Sequence, residues 1–281
     1  MRIAVVLAAI LAIACSRKDE PSAAKSAPAA PPASVGSASA APWPASPTRS
    51  GVPAVSFVPD AILSQVGASH TILAVDFTKV VESGQLTKLV PHKLRCIREL
   101  IGSAGILVVG LGDSMTAIVT KLPERATVKC LERLGFGEAE RRDGGHLFLR
   151  PDIQLSAVWT GDTAVITKLG DKPGTGTLAA SVRREIELIS PSAASWMISD
   201  EQEDLKLVKL WVEVSESSVN LFGSFEGKKP GAAKRALRDI RERMKKAVVD
   251  WGLPPLEDSW FRTSSTETTA AVELRLALPE P

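Results

Sequence analysis

The sequence predicts an α+β fold, with mainly antiparallel sheets and helices packed on one face. Short apolar stretches come in pairs joined by turn residues, as in Ile106–Val109 with Ala117–Val119 and Leu207–Val214 with Val219–Phe225. Amphipathic stretches with helical spacing lie between these pairs. The order also recurs. An offset of about 103 residues pairs Val108 with Trp211, Ile118 with Leu221 and Leu122 with Phe225. That recurrence suggests two tandem similar halves, 51–190 and 191–281. A single domain whose hairpin–helix units merely look alike is the alternative.

The elements follow in chain order. His70–Phe77 reads as a strand through Thr71-Ile72-Leu73-Ala74-Val75. Residues 79–102 read as helical in two pieces broken at Pro91, with Leu86, Leu89, Val90, Leu94, Ile97 and Ile101 at helical spacing. The first hairpin turns at Gly110–Asp113. Pro123 then opens a helix with Val128, Leu131 and Leu134 on one face, and Gly135 ends it. Three strands follow near His146–Leu149, Ile153–Trp159 and Thr163–Leu169, and a helix near Leu178–Ile189 ends the half. In the second half Ser195–Ser199 reads as a strand before the second hairpin. A long helix then runs from about Gly231 to Trp251, carrying Leu237, Ile240, Met244, Val248 and Trp251, and stops at Gly252 ahead of Pro254 and Pro255. Two strands close the chain. The last alternates Val272, Leu274, Leu276 and Leu278 against Glu273 and Arg275.

The N-terminus carries the clearest address. Met1-Arg2 is followed by an uncharged apolar run from Ile3 to Ala14, then Cys15-Ser16-Arg17-Lys18. A basic start and an apolar run of about twelve residues fit an export signal, and fall short of the roughly 20 apolar residues of a membrane span. The stretch Leu11-Ala12-Ile13-Ala14-Cys15 resembles the lipobox of bacterial lipoproteins, with a small residue ahead of the cysteine. Ala12 stands where that family usually has Leu. The resemblance implies that residues 1–14 are a signal peptide, and that Cys15 is the diacylated, palmitate-type lipid attachment point and mature N-terminus. Serine after the cysteine implies the outer membrane, with the domain in the periplasm or at the surface. Residues 15–50 are then a lipidated start and a disordered Ala/Pro/Ser-rich tether, because such composition buries too little surface to offset its ordering entropy. As a coil of about 35 residues it would span roughly 30–35 Å.

With Cys15 lipidated, Cys96 and Cys130 remain, each on a predicted helix. In an oxidising compartment the pair favours a disulfide over two buried thiols. Without Cys-x-x-Cys spacing it is not a redox-catalytic pair.

Other candidates are weak. Gly110-Leu111-Gly112-Asp113 lacks the third glycine and the following helix of a dinucleotide turn. Lys172–Thr177 is glycine-rich but lacks the ending of a phosphate loop. His70, His92 and His146 fall at no metal-ligand spacing. Asp200–Asp204 reads as a solvated acidic turn. The net charge of +2, from 34 basic and 32 acidic residues, and only 5% aromatic residues argue against a nucleic-acid partner. No metal or cofactor is expected. The predicted long helix is the most distinctive feature. Lys228 to Lys246 holds nine basic residues against Asp239 and Glu242. Its Lys234, Arg235, Arg238, Arg241 and Lys245 are candidates for contact with an anionic surface, the alternative being an ordinary solvated face.

These readings point to a membrane-anchored envelope lipoprotein, non-enzymatic, acting as a binding or accessory module with an envelope protein partner. An envelope hydrolase whose site no motif reveals, and a carrier of an apolar ligand, are the alternatives.

Overall fold

Thr71–Val75 and Ala193–Ile198 are continuous apolar or small runs, and such runs belong to strands covered on both sides. They form the middle of the sheet. The computed structural model describes residues 56–66, 69–84, 95–142, 145–151, 153–171, 177–200, 204–250 and 256–277. The signal peptide, Cys15, the tether, His92, Pro91 with its neighbouring helix positions, Lys172–Gly176, Glu201–Glu203, Trp251 and Leu278 lie outside these.

The first described elements are a short helix α1 (Asp60–Leu63) and a 3-10 turn (Ser64–Val66). Next come β1 (Thr71–Asp76), α2 (Phe77–Glu82), α3 (Arg95–Ser103) and the hairpin β2 (Ile106–Leu111) with β3 (Met115–Val119). Then follow α4 (Glu124–Arg133), β4 (Gly137–Arg142), β5 (Gly145–Arg150), β6 (Ile153–Thr160), β7 (Thr163–Lys168) and α5 (Ala180–Glu187). The rest is β8 (Ala193–Ser199), the hairpin β9 (Leu205–Val214) with β10 (Ser218–Gly227), α6 (Ala232–Asp250), β11 (Phe261–Ser265) and β12 (Thr269–Ala277).

Among the described residues twelve strands form one sheet, in the order β11-β12-β10-β9-β8-β1-β2-β3-β7-β6-β5-β4, and every pairing is antiparallel. The α+β, antiparallel expectation therefore holds. From the β1–β8 seam outward, each side runs a strand, a hairpin and then a strand (β7 or β12) paired to the hairpin's outer edge, beyond which lie β6, β5 and β4 on one side and β11 on the other. One in-register row crosses the sheet: Val158, Val165, Ile118, Val108, Ala74, Trp196, Trp211, Phe222, Glu273 and Arg262.

The helices do not share one face, which corrects the sequence expectation. On the first face Leu73 and Val75 pack with Leu237, Ile240 and Met244 of α6. Phe77, Leu100 and Leu122 extend that face with Ala164 and Ile166. On the second face Ile72, Ala74 and Trp196 pack with Leu63, Val66 and with Val182 and Ile186 of α5. Strand alternation forces this arrangement, since residues 72 and 74 point opposite to 73 and 75.

Three local differences have physical causes. Gly110 lies inside β2 rather than in the turn, because Val66 crosses it: a Cβ there would sit 2.8 Å from Val66 Cβ and 3.0 Å from Val66 O. The turn is Gly112–Ser114. On α4 the buried side chains are Thr127 and Cys130, while the expected stripe of Val128, Leu131 and Leu134 is half-buried. Gly135, at φ 85°, ends that helix as expected. The strand β4 had no sequence expectation. Its string Gly-Glu-Ala-Glu-Arg-Arg is polar, and it forms one edge of the described sheet.

Candidate functional site

The basic helix α6 rests on β10 and β12 through a stripe one helical repeat apart. Ala233, Leu237, Ile240 and Met244 are buried. The same period turns Lys234, Arg235, Arg238, Arg243 and Lys246 outward, and all five are exposed, with Asp239 and Glu242 between them.

The five residues expected to meet an anionic surface divide into two groups. Lys234, Arg235 and Arg238 are on the solvated side. Arg235 Nη2 lies 3.7 Å from Asp204 Oδ2, Lys229 Nζ lies 3.7 Å from the same carboxylate's Oδ1, and Arg238 faces Asp239 at 3.6 Å. Arg241 and Lys245 instead turn toward the start of the closing hairpin. Arg241 Nη2 donates to Asp258 Oδ1 at 2.5 Å, Lys245 Nζ donates to the same oxygen at 2.7 Å, and the Arg241 guanidinium lies 5.1 Å from the Phe261 ring centroid. The hydrogen bond from Lys245, and then that from Arg241, hold the Asp258 carboxyl below the usual carboxylate range. The same bond to Asp258 raises Lys245. Arg241 and Lys245 thus fasten α6 to the sheet. Arg243 and Lys246, which sequence reasoning did not select, are outward and complete the basic face. Helical phase could have found them: they lie opposite the Leu237–Ile240–Met244 stripe.

The second pair of named residues meets. Cys96 of α3 and Cys130 of α4 form a disulfide, with Cα atoms 5.4 Å apart. It joins the helix before the first hairpin to the helix after it. At the start of α4 His146 Nε2 and Glu124 Oε1 are 2.8 Å apart, and the His146 ring is stacked on Phe148 and edge-on to Trp159. His146 is a packed interior residue. His70 Nδ1 lies 3.6 Å from Asp200 Oδ1 at the end of the seam. Among the described residues no group of three His, Cys, Asp or Glu side chains could hold a metal ion. No described helix is long and apolar enough to cross a membrane.

On the second face α1, the 3-10 turn and α5 lie over the central strands, with Val165 of β7 and Trp211 of β9 half-buried against that cluster. The two flanks of this face differ in chemistry. On β10–β12 the row ends in Phe222, Glu273 and Arg262, with Arg275 in an ion pair to Glu273 and the Trp211 ring stacked on Phe222. On β5–β7 it ends in Val165 and Val158.

No family model and no curated protein matches this chain. Solved structures do. Crystal form III of a protein named TP0453 aligns over 76% of this chain and 93% of its own, at 10% identity and a TM-score of 0.49. Its crystal form I aligns over 76% and 92%, at 10% identity and a TM-score of 0.45. A likeness at this level is one of general arrangement and assigns no residue a role.

Proposed function

We propose that this chain is a lipid-anchored protein of the bacterial outer membrane whose domain is a non-enzymatic binding or accessory module held on a tether. The observation that carries the reading is the N-terminal string: a basic start, the apolar run Ile3–Ala14, Cys15, and then an Ala/Pro/Ser-rich stretch leading to the domain. Two or more acyl chains anchor stably where one does not. The domain would stand in the periplasm or at the cell surface and meet an envelope protein partner. Metabolic labelling with a fatty-acid analogue tests the anchor. The wild-type chain takes up label and Cys15→Ala does not; label retained by Cys15→Ala overturns the reading.

The outward side of α6 is the contact proposed for an anionic surface. Exposure of Lys234, Arg235, Arg238, Arg243 and Lys246 supports it. The unlipidated protein should co-sediment with vesicles containing phosphatidylglycerol at low salt, and Arg238→Glu with Arg243→Glu and Lys246→Glu should abolish this. Arg241 and Lys245 are left intact because they hold Asp258. Failure of the wild type to bind at low salt removes the contact and leaves the anchor standing. The two tandem similar halves belong to the same proposal, and the matching strand order on either side of the β1–β8 seam supports them.

A further inference from the structure

The charges of the helices are divided unevenly between the two faces. On the first face α3, α4 and α6 carry twelve basic residues against six acidic ones. On the second face α1 and α5 carry two basic residues against three acidic ones. Those of the second face pair off. Arg183 Nη2 lies 3.7 Å from Asp60 Oδ1, and Lys209 Nζ donates to Glu185 Oε2 at 2.8 Å. A chain with a net charge of only +2 thus has a basic side and a balanced one.

The basic side is more than α6. Arg125, Lys129 and Arg133 follow one another at i, i+4 and i+8 along α4. All three are exposed, on the side of the helix turned away from the buried Thr127 and Cys130. Among the described residues none of the three is in an ion pair. Like charges at this spacing repel and destabilise a helix. α4 is short and buries few side chains, so packing offsets little of that repulsion, and the disulfide to α3 holds it in place. A stripe that works against its own helix and has no use inside the fold points to an anion outside it.

Position and reach select the anion. α6 rests on β10 and β12. α4 starts over β5 and β6, where Glu124 meets His146 and Trp159 Nε1 donates to Leu122 O. Seven strand spacings separate β10 from β6, about 34 Å at roughly 4.8 Å each. That is several times the Debye length of about 8 Å at physiological salt, so the two patches act independently. A free phosphate or a short acidic peptide meets one of them at most. An extended anionic surface offers charge to both, and each patch adds its own attraction. The tether read from the sequence keeps such a surface, the bilayer, within roughly 30–35 Å.

We propose that Arg125, Lys129 and Arg133 form a second contact with an anionic phospholipid bilayer, so that the protein turns its first face to the membrane and α1 and α5 away from it. The inference rests on the reading of α6 as a contact for an anionic surface. The mature chain with Cys15→Ser and its disulfide intact is titrated with vesicles of phosphatidylglycerol and phosphatidylcholine at low salt. Each cation near such a surface contributes about fivefold, so Arg125→Gln with Lys129→Gln and Arg133→Gln should weaken binding about 100-fold. Arg125→Lys with Arg133→Lys should bind as the wild type does. An environment-sensitive fluorophore on Ala126→Cys of α4 should respond to the vesicles, and one on Ala61→Cys of α1 should not; both positions are exposed. Wild-type affinity in the Gln variant, or a stronger response at position 61 than at 126, overturns this inference and leaves the α6 contact standing. Equal loss in the Lys variant would trace the effect to the helix rather than its charge and overturn it as well. Failure of the wild type to bind removes both contacts.

Discussion

α4 and α6 each follow a hairpin and each lie on the first face, yet the chain fastens them by different means. α6 buries Leu237, Ile240 and Met244, and its Arg241 and Lys245 close on Asp258 at the exposed edge. α4 is about half as long and buries only Thr127 and Cys130. It is held instead by the disulfide to α3 and by Glu124 at His146. The difference teaches how this fold compensates: where a helix brings few apolar side chains to the sheet, a covalent link and a polar contact take over. A long amphipathic helix needs only packing and a surface ion pair.

Breaking the covalent side of the comparison should have the largest effect. Cys96→Ala with Cys130→Ala opens a loop whose ends are 34 residues apart. Chain entropy puts the loss at about 3–4 kcal/mol. Denaturant unfolding of the double variant against the wild type reads this directly, and an unchanged midpoint would mean that α4 is held by packing after all.

The packing side comes next. Met244 is 1% exposed, and Met244→Ala should cost about 3 kcal/mol within the range of roughly 2–5 kcal/mol for such truncations. Met244→Leu, which conserves volume, should restore most of it. Equal stability of Met244→Ala and wild type in the same unfolding assay would show that α6 is not anchored through this stripe.

The ion pair should contribute least, and its pH dependence sharpens the contrast. Asp258 is lowered by Lys245 and then Arg241, so its contribution is present above the unfolded carboxylate value near 4 and is lost as pH falls through the lower folded value. Lys245 is raised, so its part is present below an unfolded value of about 10.4 and is lost as pH rises through the higher folded value. The Tm difference between wild type and Asp258→Asn should therefore be small and level from about pH 5 to about 10, and should shrink below about pH 4. A difference that grows on acidification would contradict the assigned pairing.

Much of the strand order was legible because alternation is a direct consequence of pleating. Val272, Leu274 and Leu276 face inward and Arg275 outward, as the string implies. What escaped notice was the choice of face. Amphipathic spacing says that α5 buries one side, but not that its partner is the opposite side of the sheet from α6. A signal existed: β1 carries the unbroken apolar run Ile72–Val75 and β8 the run Trp196–Ile198 after Ala193 and Ala194, and such runs call for cover on both sides. Gly110 read as a turn because glycine marks both turns and close approaches, and only the contact with Val66 decides between them. Within the candidate site, Arg241 and Lys245 were indistinguishable from their neighbours in a basic string. Their partner Asp258 follows a break after the helix, so the pairing arises from tertiary structure.

The anchor proposed at Cys15 is tested most directly by the intact mass of the chain extracted from membranes. A chain beginning at Cys15 with acyl groups on that residue is the expected result. A chain that retains residues 1–14, or one that begins elsewhere and carries no acyl group, would contradict it.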